Sequence, residues 1–128
     1  MTTKDAKRAV RLVERVLRWK RVRHFSEVGE GKFYTNLRTG SILIHDGAAR
    51  VRWWDPSRED RDAMLLARSI PGMRLVRCNP PRSRQPKGAG WRAAFGLPRE
   101  FAYGETPARA IFEAAWRWQV EREVSGAE

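Results

Sequence analysis

The sequence predicts an α/β (α+β) fold in the order helix, three-strand meander, helix, strands, helix, arranged around a mainly antiparallel sheet. Three observations carry this expectation. A helical period runs from Lys4 to about Arg23. Short runs of strand-forming residues, separated by turn residues, follow between Lys32 and Trp54. Two later segments open with pairs that start helices, Asp55-Pro56 and Thr106-Pro107. At 128 residues the chain is expected to form one α/β domain, 1–128, with a core that needs neither disulfide nor metal.

In the first segment Ala6, Ala9, Val10, Val13, Val16 and Leu17 share one arc of a helix wheel, and Gly29 and Gly31 end the pattern. Lys32 to Leu37, Ser41 to His45 and Ala49 to Trp54 read as three strands, joined by turns at Arg38-Thr39-Gly40 and Asp46-Gly47. A second helix from Asp55-Pro56 to about Ile70 buries Ala63, Leu66, Ala67 and Ile70, while Glu59, Asp60 and Asp62 suit the positive end of its dipole. Pro71-Gly72 stops it. Met73 to Cys78 and Trp91 to Leu97 read as paired strands, and a short strand surrounds Phe101 to Tyr103. The last helix runs from Thr106-Pro107 to about Glu123, with a frayed tail over 124–128.

Composition narrows the function classes. Lys and Arg number 26 against 15 Asp and Glu, a net charge of +11, which points to a polyanionic partner. The 21 arginines against 5 lysines also match what a GC-rich genome produces, so position tells more than count. Cys78 stands alone and excludes an intramolecular disulfide. No apolar run approaches the roughly 20 residues of a membrane span, and the charged N-terminus lacks a secretory segment, so a cytoplasmic protein without a membrane partner is expected.

The position of the charges suggests where a polyanion would sit. Lys4, Arg8, Arg11, Arg15 and Arg18 fall in one arc of the first helix, opposite the apolar one, and Arg21 extends the row. Cations repeated about once per turn meet phosphates at intervals of roughly 5 Å. A second basic segment is the Pro/Gly-rich stretch 79–90, expected to be a mobile loop, with Arg82, Arg84 and Lys87 and then Trp91 and Arg92 beyond it. Both segments could equally be solvated surface.

Six tryptophans are many for this length. Trp53 and Trp54 are adjacent in a strand, so they face opposite ways and one of them is expected at the surface. Trp118 falls with Ile111, Ala114 and Ala115 on the inward side of the last helix, whereas Trp116 and Val120 lie outside that arc and need another neighbour. Trp116, Val120 and Trp54 are therefore the candidate protein-interface residues. No catalytic residue, cofactor site or metal site is expected: His24 and His45 are isolated, no glycine-rich phosphate loop occurs, and Glu59, Asp60 and Asp62 are explained by the helix dipole.

From Asp55 onward the order of elements, with the segments Gly90-Trp91-Arg92-Ala93-Ala94-Phe95 and Gly104-Glu105-Thr106-Pro107-Ala108-Arg109-Ala110-Ile111, resembles the phage ABA-sandwich domain. Val16 to Trp19 resembles the opening of that family. The resemblance implies a phage or prophage α-β-α sandwich, generally uncharacterised in activity, and carries over no catalytic or binding residue. The three-stranded insertion from Lys32 to Trp54 departs from the simplest family pattern. The αβββα order also resembles a double-stranded-RNA-binding domain, but its second helix there opens with a lysine cluster, and here only Arg109 is basic.

Two function classes follow as expectations. The first is a small phage or prophage accessory protein that binds DNA or RNA through phosphates, largely without sequence preference. The second is a phage inhibitor of a host protein complex, either an anti-CRISPR or other anti-defence protein or an RNA polymerase modulator, acting by protein–protein binding. A virion or assembly component is a third option.

Overall fold

The computed structural model describes residues 2–45, 50–78, 90–96 and 101–125. Its class is mixed α+β: the described residues form three α-helices and two mainly antiparallel sheets, of four and three strands. The chain divides into two compact units, Met1–Asp55 and Pro56–Glu128.

In the first unit, helix α1 spans Thr3–Leu12, and the Thr2 side chain caps it by accepting the Asp5 N–H at 3.1 Å. The helix does not continue to Arg23 as its periodicity suggests. It widens into a π-helical turn over Val13–Leu17 and stops at Arg18, whose φ of 57° is left-handed. The Trp19 N–H reaches back to the Val13 carbonyl at 3.2 Å, and the chain turns into strand β1, Lys20–Arg21. A non-glycine residue in this conformation costs about 1–2 kcal/mol. Arg18→Gly is therefore expected to raise unfolding stability by up to about 1 kcal/mol, a change that urea denaturation would resolve.

β1 runs parallel to β2, Lys32–Thr35, with Lys20 opposite Lys32 and Arg21 opposite Phe33. Sequence reading missed this strand, because two residues give no periodicity. Strands β3, Ile42–His45, and β4, Val51–Trp54, complete the expected antiparallel meander in the order β1-β2-β3-β4. Alternation puts Phe33, Thr35, Ile42, Ile44 and Trp54 on the buried side. At the β2–β3 turn the Asn36 carboxamide oxygen accepts the Arg38 and Thr39 N–H groups at 2.9 and 3.2 Å. Gly40 closes it with φ of 77°, and a Cβ there would stand 2.6 Å from the Ala6 methyl, so the turn is seated against α1. The Asp46-Gly47 turn lies outside the described residues.

In the second unit, α2 spans Asp60–Ser69. It begins four residues later than the Asp55-Pro56 pair suggests, because Pro56 and Ser57 are buried in a preceding turn and the extended backbone of Glu59 forms the cap. Asp60 and Asp62 do sit in its first turn. Asp60 has a second task, since its carboxylate accepts the Ala108 N–H at 3.0 Å and so satisfies an end group of the next helix. Strands β5, Met73–Arg77, β6, Trp91–Phe95, and β7, Ala102–Gly104, form an antiparallel sheet in sequence order. Helix α3, Pro107–Ser125, packs on β6, β7 and α2. The Thr106 hydroxyl accepts the Arg109 N–H at 3.2 Å, which is the cap that the Thr106-Pro107 pair predicts. The expected frayed tail lies largely outside the described residues.

Gly104 sets the approach of α3 to β7. A Cβ at this position would fall 2.5 Å from the Ala110 nitrogen and 2.8 Å from the Arg109 carbonyl carbon. Both obstacles are helix backbone and cannot swing away. Gly104→Ala is expected to lower stability by about 2–3 kcal/mol through overpacking, visible as a lowered thermal midpoint of unfolding; an unshifted midpoint would contradict this helix–strand contact.

Candidate nucleic-acid interface

Helix α1 presents its basic residues unequally. Its buried set is Asp5, Ala6, Ala9 and Leu12, followed by Val13, while Val10, Val16 and Leu17 are only half-buried. On a wheel of about 100° per residue, the buried arc is rotated by roughly 40° from the one that apolar residues alone define. Leu12, which sequence reading left out, and the capped Asp5 draw it round. Arg8 consequently lies at the edge of the core. Its side chain is 14% exposed and stands 3.8 Å from the Asp5 carboxylate. Lys4, Lys7, Arg11 and Arg15 are exposed.

The expected six-residue row therefore breaks in three places. Arg8 turns inward, Arg18 is the left-handed end of the helix rather than part of it, and Arg21 belongs to β1. The fold returns Arg21 to the helix by another route. Its guanidinium meets Glu14 at 3.3 Å and lies 5.9 Å from the centre of the Phe33 ring. Both partners of this ion pair are about half exposed, so it contributes at most about 1 kcal/mol.

Between α1 and the β2–β3 turn runs a groove of about 410 Å³. Its lining combines Thr3, Ala6, Lys7, Val10, Arg11 and Glu14 from the helical segment, Arg21 from β1, and Thr35 to Gly40 from the turn. Four cations, Lys7, Arg11, Arg21 and Arg38, face one carboxylate, Glu14. The Arg38 and Thr39 backbone N–H groups are already taken by Asn36, so an anion in the groove would be held by side chains. Lys7 and Arg38 are the functional candidates that sequence reading missed. Lys7 lies outside the arc drawn through Lys4 and Arg11, and Arg38 is far from the helix in sequence.

The other candidates divide. Arg82, Arg84 and Lys87 lie outside the described residues. Arg92 is on β6, half-buried, with its guanidinium centre 4.6 Å from the Phe101 ring centre. That stacking holds the side chain against its own sheet. Trp54 is corrected: it is 1% exposed and part of the core, and the exposed member of the pair is Trp53, at 57%. Trp116 and Val120 are half-buried on α3, and Trp118 is covered by the Arg122 guanidinium at 4.5 Å.

Among the described residues, no group of three or more His, Cys, Asp and Glu is placed to hold a metal, and no helix is long and apolar enough to cross a membrane. His24 is used locally: its Nδ1 lies 2.6 Å from the Ser26 hydroxyl and accepts the Ser26 N–H at 3.2 Å, capping the turn Phe25–Glu27. No family model, curated protein or solved structure matches the chain.

Proposed function

We propose that this chain is a small phage or prophage accessory protein that binds nucleic acid through backbone phosphates, largely independently of sequence. The observation that carries the reading is the convergence of Lys7, Arg11, Arg21 and Arg38 on one groove, with exposed Lys4 and Arg15 along the same helical segment. Side-chain cations around an open groove neutralise phosphates and release counterions, and they read no base edges. The net charge of +11 supports the same class of partner. The phage origin rests on the resemblance of the segments 90–95 and 104–111 to the phage ABA-sandwich domain.

The second class, a phage inhibitor of a host protein complex, uses a surface that includes Trp116, Val120 or one of Trp53 and Trp54. Trp54 is buried and Trp116 and Val120 are half-buried, which leaves Trp53 as the exposed tryptophan that such an interface would use. The deciding experiment is a fluorescence-anisotropy titration of duplex DNA, single-stranded DNA and duplex RNA at several salt concentrations. Five exposed cations, Lys4, Lys7, Arg11, Arg15 and Arg38, lead us to expect a log–log slope of about −4 to −5 on duplex DNA. No binding to duplex DNA, single-stranded DNA or duplex RNA at low salt would sink the reading and favour the inhibitor class.

A further inference from the structure

The outward face of the four-stranded sheet has a pattern that phosphate binding by the groove does not use. Register places Tyr34 opposite Leu43 and Leu43 opposite Trp53, so these three side chains form one row across β2, β3 and β4. Phe25 extends the row, its ring 6.4 Å from Tyr34 in an edge-on arrangement, and His24 stacks on Phe25 at 4.5 Å. Trp53 and Phe25 are 57% and 58% exposed, which leaves two large aromatic faces open to solvent. Isolated apolar residues at a surface are ordinary, but two exposed aromatics at the ends of one registered row, joined by the half-buried Tyr34 and Leu43, are not.

A basic row lies beside it. Lys20 is opposite Lys32. Continuing the β2–β3 register brings Lys32 level with His45, which is itself paired with Val51. Successive same-face positions along a strand are about 6–7 Å apart, so each lysine stands within a side chain's reach of the aromatic row. Among the strand positions of this face, Lys20, Lys32, Tyr34, Leu43, His45, Val51 and Trp53, every ionisable side chain is basic or neutral and none is a carboxylate. The face therefore pairs stacking surface with positive charge.

We infer that this face is a stacking platform for single-stranded nucleic acid, with bases on Trp53, Tyr34 and Phe25 and the backbone held by Lys20 and Lys32. The inference rests on the nucleic-acid reading and names the strandedness of its ligand. A duplex keeps its base faces stacked inside, so it can meet the groove's cations but cannot use a flat aromatic sheet. A single strand presents every base face. Stacking tolerates any base, in keeping with a protein that lacks visible base readout.

The test compares a 20-nucleotide thymidine oligonucleotide, its uridine counterpart and a 20-base-pair DNA duplex by fluorescence anisotropy, using wild type, Trp53→Ala, Trp53→Phe and the Lys20→Ala/Lys32→Ala pair. Trp53→Ala is expected to weaken both single strands by roughly tenfold to a hundredfold and to leave the duplex within about twofold. Trp53→Phe, which keeps an aromatic face, restores most of the loss, and the lysine pair lowers the salt slope for single strands alone. Equal loss on strand and duplex, or an unchanged single-strand affinity in Trp53→Ala, overturns the platform. Duplex binding without single-strand binding overturns it too, but leaves the groove reading standing. Absence of binding to all three probes overturns both. Dissociation of a wild-type dimer by Trp53→Ala at the concentrations used would assign the face to a second copy of the chain and overturn the inference.

Discussion

Trp54→Ala is expected to cost about 3–5 kcal/mol of unfolding stability, while Trp53→Ala, one residue away, costs about 1 kcal/mol or less. The two indoles are the same chemical group on consecutive residues of β4, and only the pleat separates them. Trp54 is directly opposite Ile42, which is opposite Thr35, and all three are buried. Its removal empties a core position that backbone pairing prevents from collapsing. Trp53 is opposite Leu43 on the outward face, so its truncation gives up a cross-strand contact whose worth is a few tenths of a kcal/mol to about 1. Urea denaturation of the two variants checks this directly. Equal losses would mean that the outward face is packed against something in solution, and the single-strand platform would then lose its surface. The contrast also protects the binding test, because Trp53→Ala is expected to remain folded.

How much of this was legible in the sequence depended on whether local pattern or tertiary pairing set the outcome. The meander was legible because turn residues at Arg38-Thr39-Gly40 and Asp46-Gly47 separate short strand-forming runs. The cap at Thr106 was legible because it is made within four residues of chain. The end of α1 was not. Nothing in Val16 to Arg23 breaks a helix locally; the break comes from β1 pairing with β2, where the Lys20 N–H finds the Gly31 carbonyl and the Val22 N–H finds that of Phe33. The start of α2 was misplaced for a similar reason, since Pro56 and Ser57 are buried before the helix begins and Glu59, not Asp55, occupies the cap. At the candidate site, the wheel located the cationic side of α1 to within one helical position. It could not show that Asp5 is buried and draws Arg8 inward, nor that a turn 30 residues further along the chain supplies Arg38 to the same groove. Which of Trp53 and Trp54 faces out was undetermined until register fixed it.

That rotation of the helix yields the sharpest test of the proposed function. The variant Lys4→Ala/Arg11→Ala/Arg15→Ala is expected to flatten the log–log salt slope on duplex DNA by about 2.7 and to reduce affinity at 0.1 M salt by roughly two orders of magnitude, since each lost phosphate contact removes about 0.9 from the slope. Alanine suits exposed helical positions, so the variant is expected to fold normally. Arg8→Ala is expected to behave in the opposite way. Its guanidinium is largely buried against the Asp5 carboxylate, so its loss takes a partner from a buried charge and costs about 1–3 kcal/mol of stability, with little change in slope. Anisotropy titrations between about 50 and 200 mM salt, paired with thermal denaturation, separate the two effects. If Arg8→Ala flattened the slope by a full contact while leaving stability intact, the stripe drawn from the sequence would be the true surface and the groove would not be the site. If the triple variant bound DNA as wild type does, phosphates would have to be held elsewhere on the chain, and α1 would be no more than a charged outer wall of its unit.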